Sequence, residues 1–195
     1  MEVLMKTSFL LIFYLAITAL CFGGVTQVGI GFDLSGNHKV HLTYLGDSAS
    51  DEYDVEMGLS PSIEVMAQRG NVLYGAGVEY QLPRNVDFGE DKAKMGFIPV
   101  YGVLRIQIPS KGNVTPELVG QLGYNIFNGD KAYKGSADLS GGIYWGIGAG
   151  LSVQKLIVQL MFKTNNGGLK QDWGGADIKG DITNTQMNLT VGVRF

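Results

Sequence analysis

Downstream of Gly24 the chain shows no helical period of useful length. It shows period-two alternation of apolar and polar residues, in eight separate runs. Such alternation puts successive side chains on opposite faces of a strand. In the last run Met187, Leu189, Val191, Val193 and Phe195 share one face, while Gln186, Asn188, Thr190, Gly192 and Arg194 share the other. The run before it sets Leu156, Val158, Leu160 and Phe162 against Gln159 and Lys163. Before that, Ile143, Trp145, Ile147, Ala149, Leu151 and Val153 oppose Tyr144, Gly146, Gly148, Gly150 and Ser152. The other runs lie over 27–34, 57–68, 74–81, 98–107 and 117–126. Val40, Leu42 and Tyr44 keep the parity of Leu34, so the first strand is read as continuing to Tyr44 with these three on its apolar face. A strand of that length overshoots the roughly 9–11 residues that cross a bilayer.

The connections alternate in length. Gly70-Asn71, Pro109 to Asn113 and Gln154-Lys155 are short, whereas Gly46 to Asp54, Leu82 to Lys94, Asn128 to Leu139 and Asn165 to Thr183 are long and polar. Up-and-down topology gathers the short turns at one end and the long loops at the other. No linker or charge block interrupts the series, so residues 24–195 read as one all-β domain of eight antiparallel strands.

Which face meets solvent decides the fold class. The polar face is rich in Gly, Ser and Gln and carries few charges: Asp33, Glu64, Glu79 and Glu117 against Arg105, Lys163 and Arg194. Four acids and three bases make a sparse solvation layer for a soluble protein but suit a mutually paired interior. The apolar face carries Tyr80, Tyr124, Trp145 and Phe162 toward the long loops and Tyr74 and Phe195 toward the short turns. Two aromatic girdles around an apolar band suit a wall facing lipid. A closed barrel also satisfies every backbone N–H and C=O between strands, as hydrocarbon demands. The apolar face therefore points outward, and the expected fold is an eight-stranded antiparallel up-and-down transmembrane β-barrel.

Composition and the N-terminus agree with an exported chain. Phe9 to Phe22 is apolar except for Thr18, too short for the roughly 20 residues of a spanning helix, and follows Lys6. Residues 1–23 thus read as a cleaved signal peptide, with the small residues Cys21, Gly23 and Gly24 at its end; lipidation of Cys21 is the minor alternative. The single Cys leaves no disulfide framework. Gly contributes 29 of 195 residues, about double the average, without a Gly-X-Y period. A net charge of −3 argues against nucleic acid as a partner.

Gly-rich alternating strands, short turns opposite long loops and a strand ending in Phe195 resemble the small eight-stranded outer-membrane barrels of the OmpX and opacity-protein type. The resemblance implies a bacterial outer-membrane location and outer-membrane lipid as the surroundings. It also implies that Met187, Leu189, Val191, Val193 and Phe195 form a signal read by the outer-membrane assembly machinery. Because the sequence stops at Phe195, no periplasmic domain of the sort OmpA carries is expected.

Nothing in the sequence points to a cofactor. Gly146-Ile147-Gly148-Ala149-Gly150 mimics a phosphate loop, but no helix follows it; these glycines read as lumen space for Tyr144, Tyr101 and long charged side chains. His38 and His41 fall on opposite faces of a strand and are two ligands at most, short of a metal site. The acids Asp47, Asp51, Glu52 and Asp54, then Glu90 and Asp91, read as solvated loop charge. Trp173 stands in a Gly-rich loop, as a partner anchor or as rim packing. The expected function is non-enzymatic: a surface protein whose four loops support the envelope or bind a host or surface ligand. The alternative is a narrow pore or a conduit for small hydrophobic molecules.

Overall fold

The structure, a computed structural model, describes residues 24–44, 47–87, 92–129, 138–173 and 176–195. The segment read as a signal peptide lies outside them, as do Glu90 and Asp91. Ten strands follow in order: β1 (Val25–Tyr44), β2 (Asp47–Val55), β3 (Gly58–Arg69), β4 (Val72–Glu79), β5 (Arg84–Asp87), β6 (Lys92–Gln107), β7 (Val114–Gly129), β8 (Asp138–Val153), β9 (Leu156–Trp173) and β10 (Ala176–Arg194). Eight of them form an antiparallel ring in the order β10-β9-β8-β7-β6-β4-β3-β1, and pairing of β1 with β10 closes it. The tight turns at Gly70 and Gln154 each use a left-handed residue, with φ of 60° and 54°.

The apolar faces point out. Leu122 is 66% exposed and Ile147 62%, while the inward-facing Arg105 and Lys163 are fully buried. The six girdle aromatics, Tyr74, Tyr80, Tyr124, Trp145, Phe162 and Phe195, are all among the exposed side chains. Trp145 and Phe162 stack with centroids 5.7 Å apart, and Asn128 donates to the Tyr80 hydroxyl at 3.1 Å. A surface of this kind is unfavourable in water and stable against hydrocarbon.

Beyond Leu34 the first strand departs from simple alternation. Asp33 sits opposite Asn188 but Ser35 sits opposite Met187, so β1 carries a bulge that inserts Leu34. One extra residue reverses the facing of everything after it. His38 and Val40 are therefore buried, and Asn37, Lys39 and His41 face out. The parity read from sequence for Val40 is corrected accordingly. The outward face of β1 changes from Val28, Ile30, Phe32 and Leu34 to these polar residues, which places the rim of the apolar band at the bulge.

Above that rim the expected loops are largely strand. Gly46 to Asp54 is replaced by β2, which pairs along β1 from Gly36↔Val55 to Tyr44↔Asp47. β9 and β10 stay paired as far as Trp173↔Ala176, so the stretch read as a loop from Asn165 to Thr183 is mostly hairpin. The short β5 pairs with β6 and touches β2 through Val55↔Val86. Thus β2 and β5 continue the wall that β3 and β4 form lower down.

Candidate functional site

The lumen is filled by three tiers of side chains. Nearest the short turns, Arg194 donates twice to Glu117, at 2.7 and 2.9 Å, and once to Gln27 at 2.9 Å. Gln107 adds a third donor to Glu117 at 3.0 Å. In the middle tier Arg105 grips Glu64 through Nε at 3.1 Å and Nη2 at 2.6 Å. Its Nη1 donates to Gln159 at 2.8 Å and lies 3.5 Å from Glu117, which joins the two tiers. Tyr101 and Gln121 donate to the other Glu64 oxygen at 3.2 and 3.0 Å, and Tyr144 donates to Gln121 at 2.6 Å.

The third tier, toward the long hairpins, holds two separate pairs. Lys163 meets Glu79 at 2.6 Å, with Gln81 donating to the same carboxylate at 3.0 Å. Asp33 accepts from Asn188 at 2.7 Å and from Gln186 at 3.1 Å, and Arg84 stands 3.4 Å from it. Arg84 also donates to Gln186 at 2.6 Å. The seven lumen residues singled out from sequence, Asp33, Glu64, Glu79, Arg105, Glu117, Lys163 and Arg194, thus share one interior. Arg84 was absent from that set. The signal for it was arithmetic: four acids faced three bases, and Asp33 was the acid without a cation.

The interior is not wholly polar. Met66, Leu73, Tyr101, Val103, Val119, Tyr144 and Met161 make an apolar cluster inside the barrel. Tyr101 and Tyr144 pack ring to ring at 5.4 Å. Small residues make space for them: a Cβ on Gly77 or Gly123 would overlap Tyr101. An eight-stranded barrel holds little more than side-chain volume, and here ion pairs and aromatics occupy it.

Above the rim lie the two histidines, on opposite faces of β1. His41 is exposed. His38 is buried, opposite Asn184 on β10 and Tyr53 on β2, and burial pulls its pKa down to about 4. Outside, Lys39 meets Glu52 at 3.1 Å and Asn37 donates to the same carboxylate at 2.6 Å; the Lys39 contact holds Glu52 below the ordinary carboxylate range. Trp173 ends β9 at the tip of its hairpin. Among the described residues, no group of three or more His, Cys, Asp and Glu has the arrangement of a metal site.

Two solved structures share this architecture at low sequence identity. The outer-membrane protein OprG of Pseudomonas aeruginosa aligns over 88% of this chain and 95% of its own, with TM-score 0.57 and 12% identity. The outer-membrane protein AlkL, solved in lipid bilayers, aligns over 88% of this chain and 89% of its own, with TM-score 0.54 and 14% identity. The fold is that of the small outer-membrane barrels. Neisserial surface protein A aligns more loosely, with TM-score 0.46 at 13% identity over 89% of this chain and 97% of that one. No protein-family model and no curated protein sequence matches the chain.

At the closing seam, Phe195 and Thr26 exchange backbone hydrogen bonds at 2.8 and 3.1 Å, and Lys155 lies 5.8 Å over the Phe195 ring. Met187, Val191 and Phe195 are exposed on the outward-facing side, and Leu189 and Val193 are half-buried on the same face.

Proposed function

We propose that the protein is a non-enzymatic barrel of the bacterial outer membrane that displays a rigid sheet outside the cell for partner binding. The observation that carries this reading is the continuation of β9, β10, β1 and β2 as one hydrogen-bonded sheet beyond the rim at Leu34. Binding residues on a stiff scaffold recognise a partner at lower ordering cost than mobile loops do. Among the described residues β2 is paired along its length only to β1, and its other side meets β5 only at Val55. A strand paired on one side offers its unpaired N–H and C=O groups to an extended segment of another chain. The exposed Asp51 and Asp54 along it favour a basic segment. Residues 1–23 act as the export signal, and Met187, Leu189, Val191, Val193 and Phe195 as the assembly signal in this account.

The test uses cells displaying the full barrel and a labelled peptide of alternating Lys and Val as probe. Binding is expected, with loss after Ser50→Pro, which places a residue without an N–H in β2. Unchanged binding to that variant would contradict strand addition.

A second reading, a conduit for small hydrophobic molecules, draws support from one feature, an opening in the wall beside Gly58. Its back is closed by Arg84, so passage requires Arg84 to leave Asp33.

A further inference from the structure

The wall changes strands at one place. Below it, β3 and β4 are joined up to the bond from the Leu82 N–H to the Leu59 carbonyl at 3.0 Å. Above it, the wall resumes at Val55↔Val86. Between these closures the two facing edges share no ladder pairing among the described residues, and Pro83 has no N–H to give. Asn85 bridges the upper edge by donating to Glu56 at 3.0 Å. The result is a groove of about 290 Å³ in the wall, open on its outer side.

Its lining is divided by height. Met57, Leu59 and Leu82, all exposed, continue the apolar outer surface of the barrel. Lys94 is exposed at the groove on β6, whose outward face below it is apolar through Leu104 and Ile106. The groove lies level with the bulge, since Gly58 pairs with Asp33. It therefore straddles the boundary between hydrocarbon and headgroups.

The floor is Arg84 lying across Gly58, where any Cβ would overlap its side chain. Arg84 is 6% exposed, and its terminal nitrogens serve Asp33 and Gln186 on the lumen side. Its Nε, beside Gly58, is buried with no hydrogen-bond partner among the described residues. The guanidinium behind Gly58 and the exposed Lys94 make the groove cationic at this level.

We propose that the groove holds one phosphate-bearing lipid of the surrounding leaflet, with its phosphate between Arg84 and Lys94 and the start of one acyl chain over Met57, Leu59 and Leu82. At the roughly 30 Å³ that a water occupies in the liquid, the volume takes about ten heavy atoms. That suits a phosphate and a few methylenes, with the rest of the lipid in the bilayer. Glu56, the one carboxylate of the lining, is held at the upper edge by the Asn85 amide. The sideways opening and the closed back favour a lipid of the leaflet over a solute of the lumen.

The test is native mass spectrometry of the refolded barrel in nonionic micelles containing dioleoyl phosphatidylglycerol. One retained lipid per barrel is expected, with occupancy falling at least fivefold in Lys94→Glu and in Leu82→Asn. Lys94 is exposed, so its variant keeps the shifted gel mobility of the unboiled barrel. Dioleoylglycerol, with the same tails and no phosphate, is expected to be lost. Equal retention of dioleoylglycerol, displacement of the lipid by millimolar inorganic phosphate, or wild-type retention in a folded Lys94→Glu barrel would each overturn the proposal.

Discussion

Arg105 Nη2 lies 2.6 Å from Glu64 Oε2, with both side chains buried inside the barrel. Each offsets most of the other's charge there, with Tyr101 and Gln121 completing the shell of Glu64 and Gln159 that of Arg105. Removing one member of such a pair strands an uncompensated charge, at a cost of about 3–5 kcal/mol. Arg105→Ala and Glu64→Ala are each expected to lose stability in that range, read as the urea midpoint of the refolded barrel. The double variant Arg105→Met, Glu64→Leu is expected to recover most of it, since well-packed apolar replacements of a buried pair are often neutral. Single losses below about 1 kcal/mol would mean that water reaches the pair.

The same packing predicts electrical silence. Arg105, Tyr101 and Tyr144 are among the largest fully buried side chains of the described residues. Wild-type barrels in a planar bilayer are expected to give no steady single-channel steps. The double variant Arg105→Ser, Tyr101→Gly, which takes two bulky side chains out of the middle tier, is expected to give them. Steady steps from the wild type would support the pore reading instead.

Parity beyond the bulge makes a directional prediction. Val40 is buried and Lys39 exposed. Val40→Lys places an ammonium inside the projecting sheet and is expected to cost several kcal/mol, whereas Lys39→Val stays within about 0.5 kcal/mol. Urea midpoints check both. Equal effects would remove the bulge from the account.

His38 confers a pH dependence on the projecting sheet. Its pKa is about 4 folded against 6.5 unfolded. The unfolded state therefore binds the proton first. Stability of this region is complete above pH 6.5 and falls as pH drops toward 4, by about 3 kcal/mol at most from the shift alone. Hydrogen-exchange protection factors of the upper β1 and β10 amides are expected to fall between pH 7 and pH 4.5. In His38→Asn that fall is expected to disappear. A ring signal titrating near 6.5 in the folded barrel and absent from His38→Asn would contradict the burial of His38.

The membrane-embedded part of this fold was legible because hydrocarbon on one side and a packed lumen on the other write opposite chemistries onto alternate residues. Gln159 and Leu160, or Arg194 and Val193, could be assigned to faces without any structure. Above the rim that contrast vanishes. Asp51, Glu52 and Asp54 are exposed, and the polar stretch Gly46 to Asp54 reads as loop, although Asp47–Val55 is strand β2. Leu34 shows a second limit: a bulge adds one residue without a compositional mark, and so the facing of Val40 was reversed. Arg84 shows a third. It reaches Asp33 from a polar segment without periodicity, and only the unbalanced charge of the lumen face hinted at it.

The central claim is that the apolar faces meet lipid and the charged faces meet each other. Spin labels on single cysteines at Leu122 and Ile147, in a chain with Cys21 replaced, test it most directly after refolding into vesicles. High accessibility to dissolved oxygen and low accessibility to a water-soluble nickel chelate are expected at both positions. High chelate accessibility at both would place these faces in water and contradict the barrel as described.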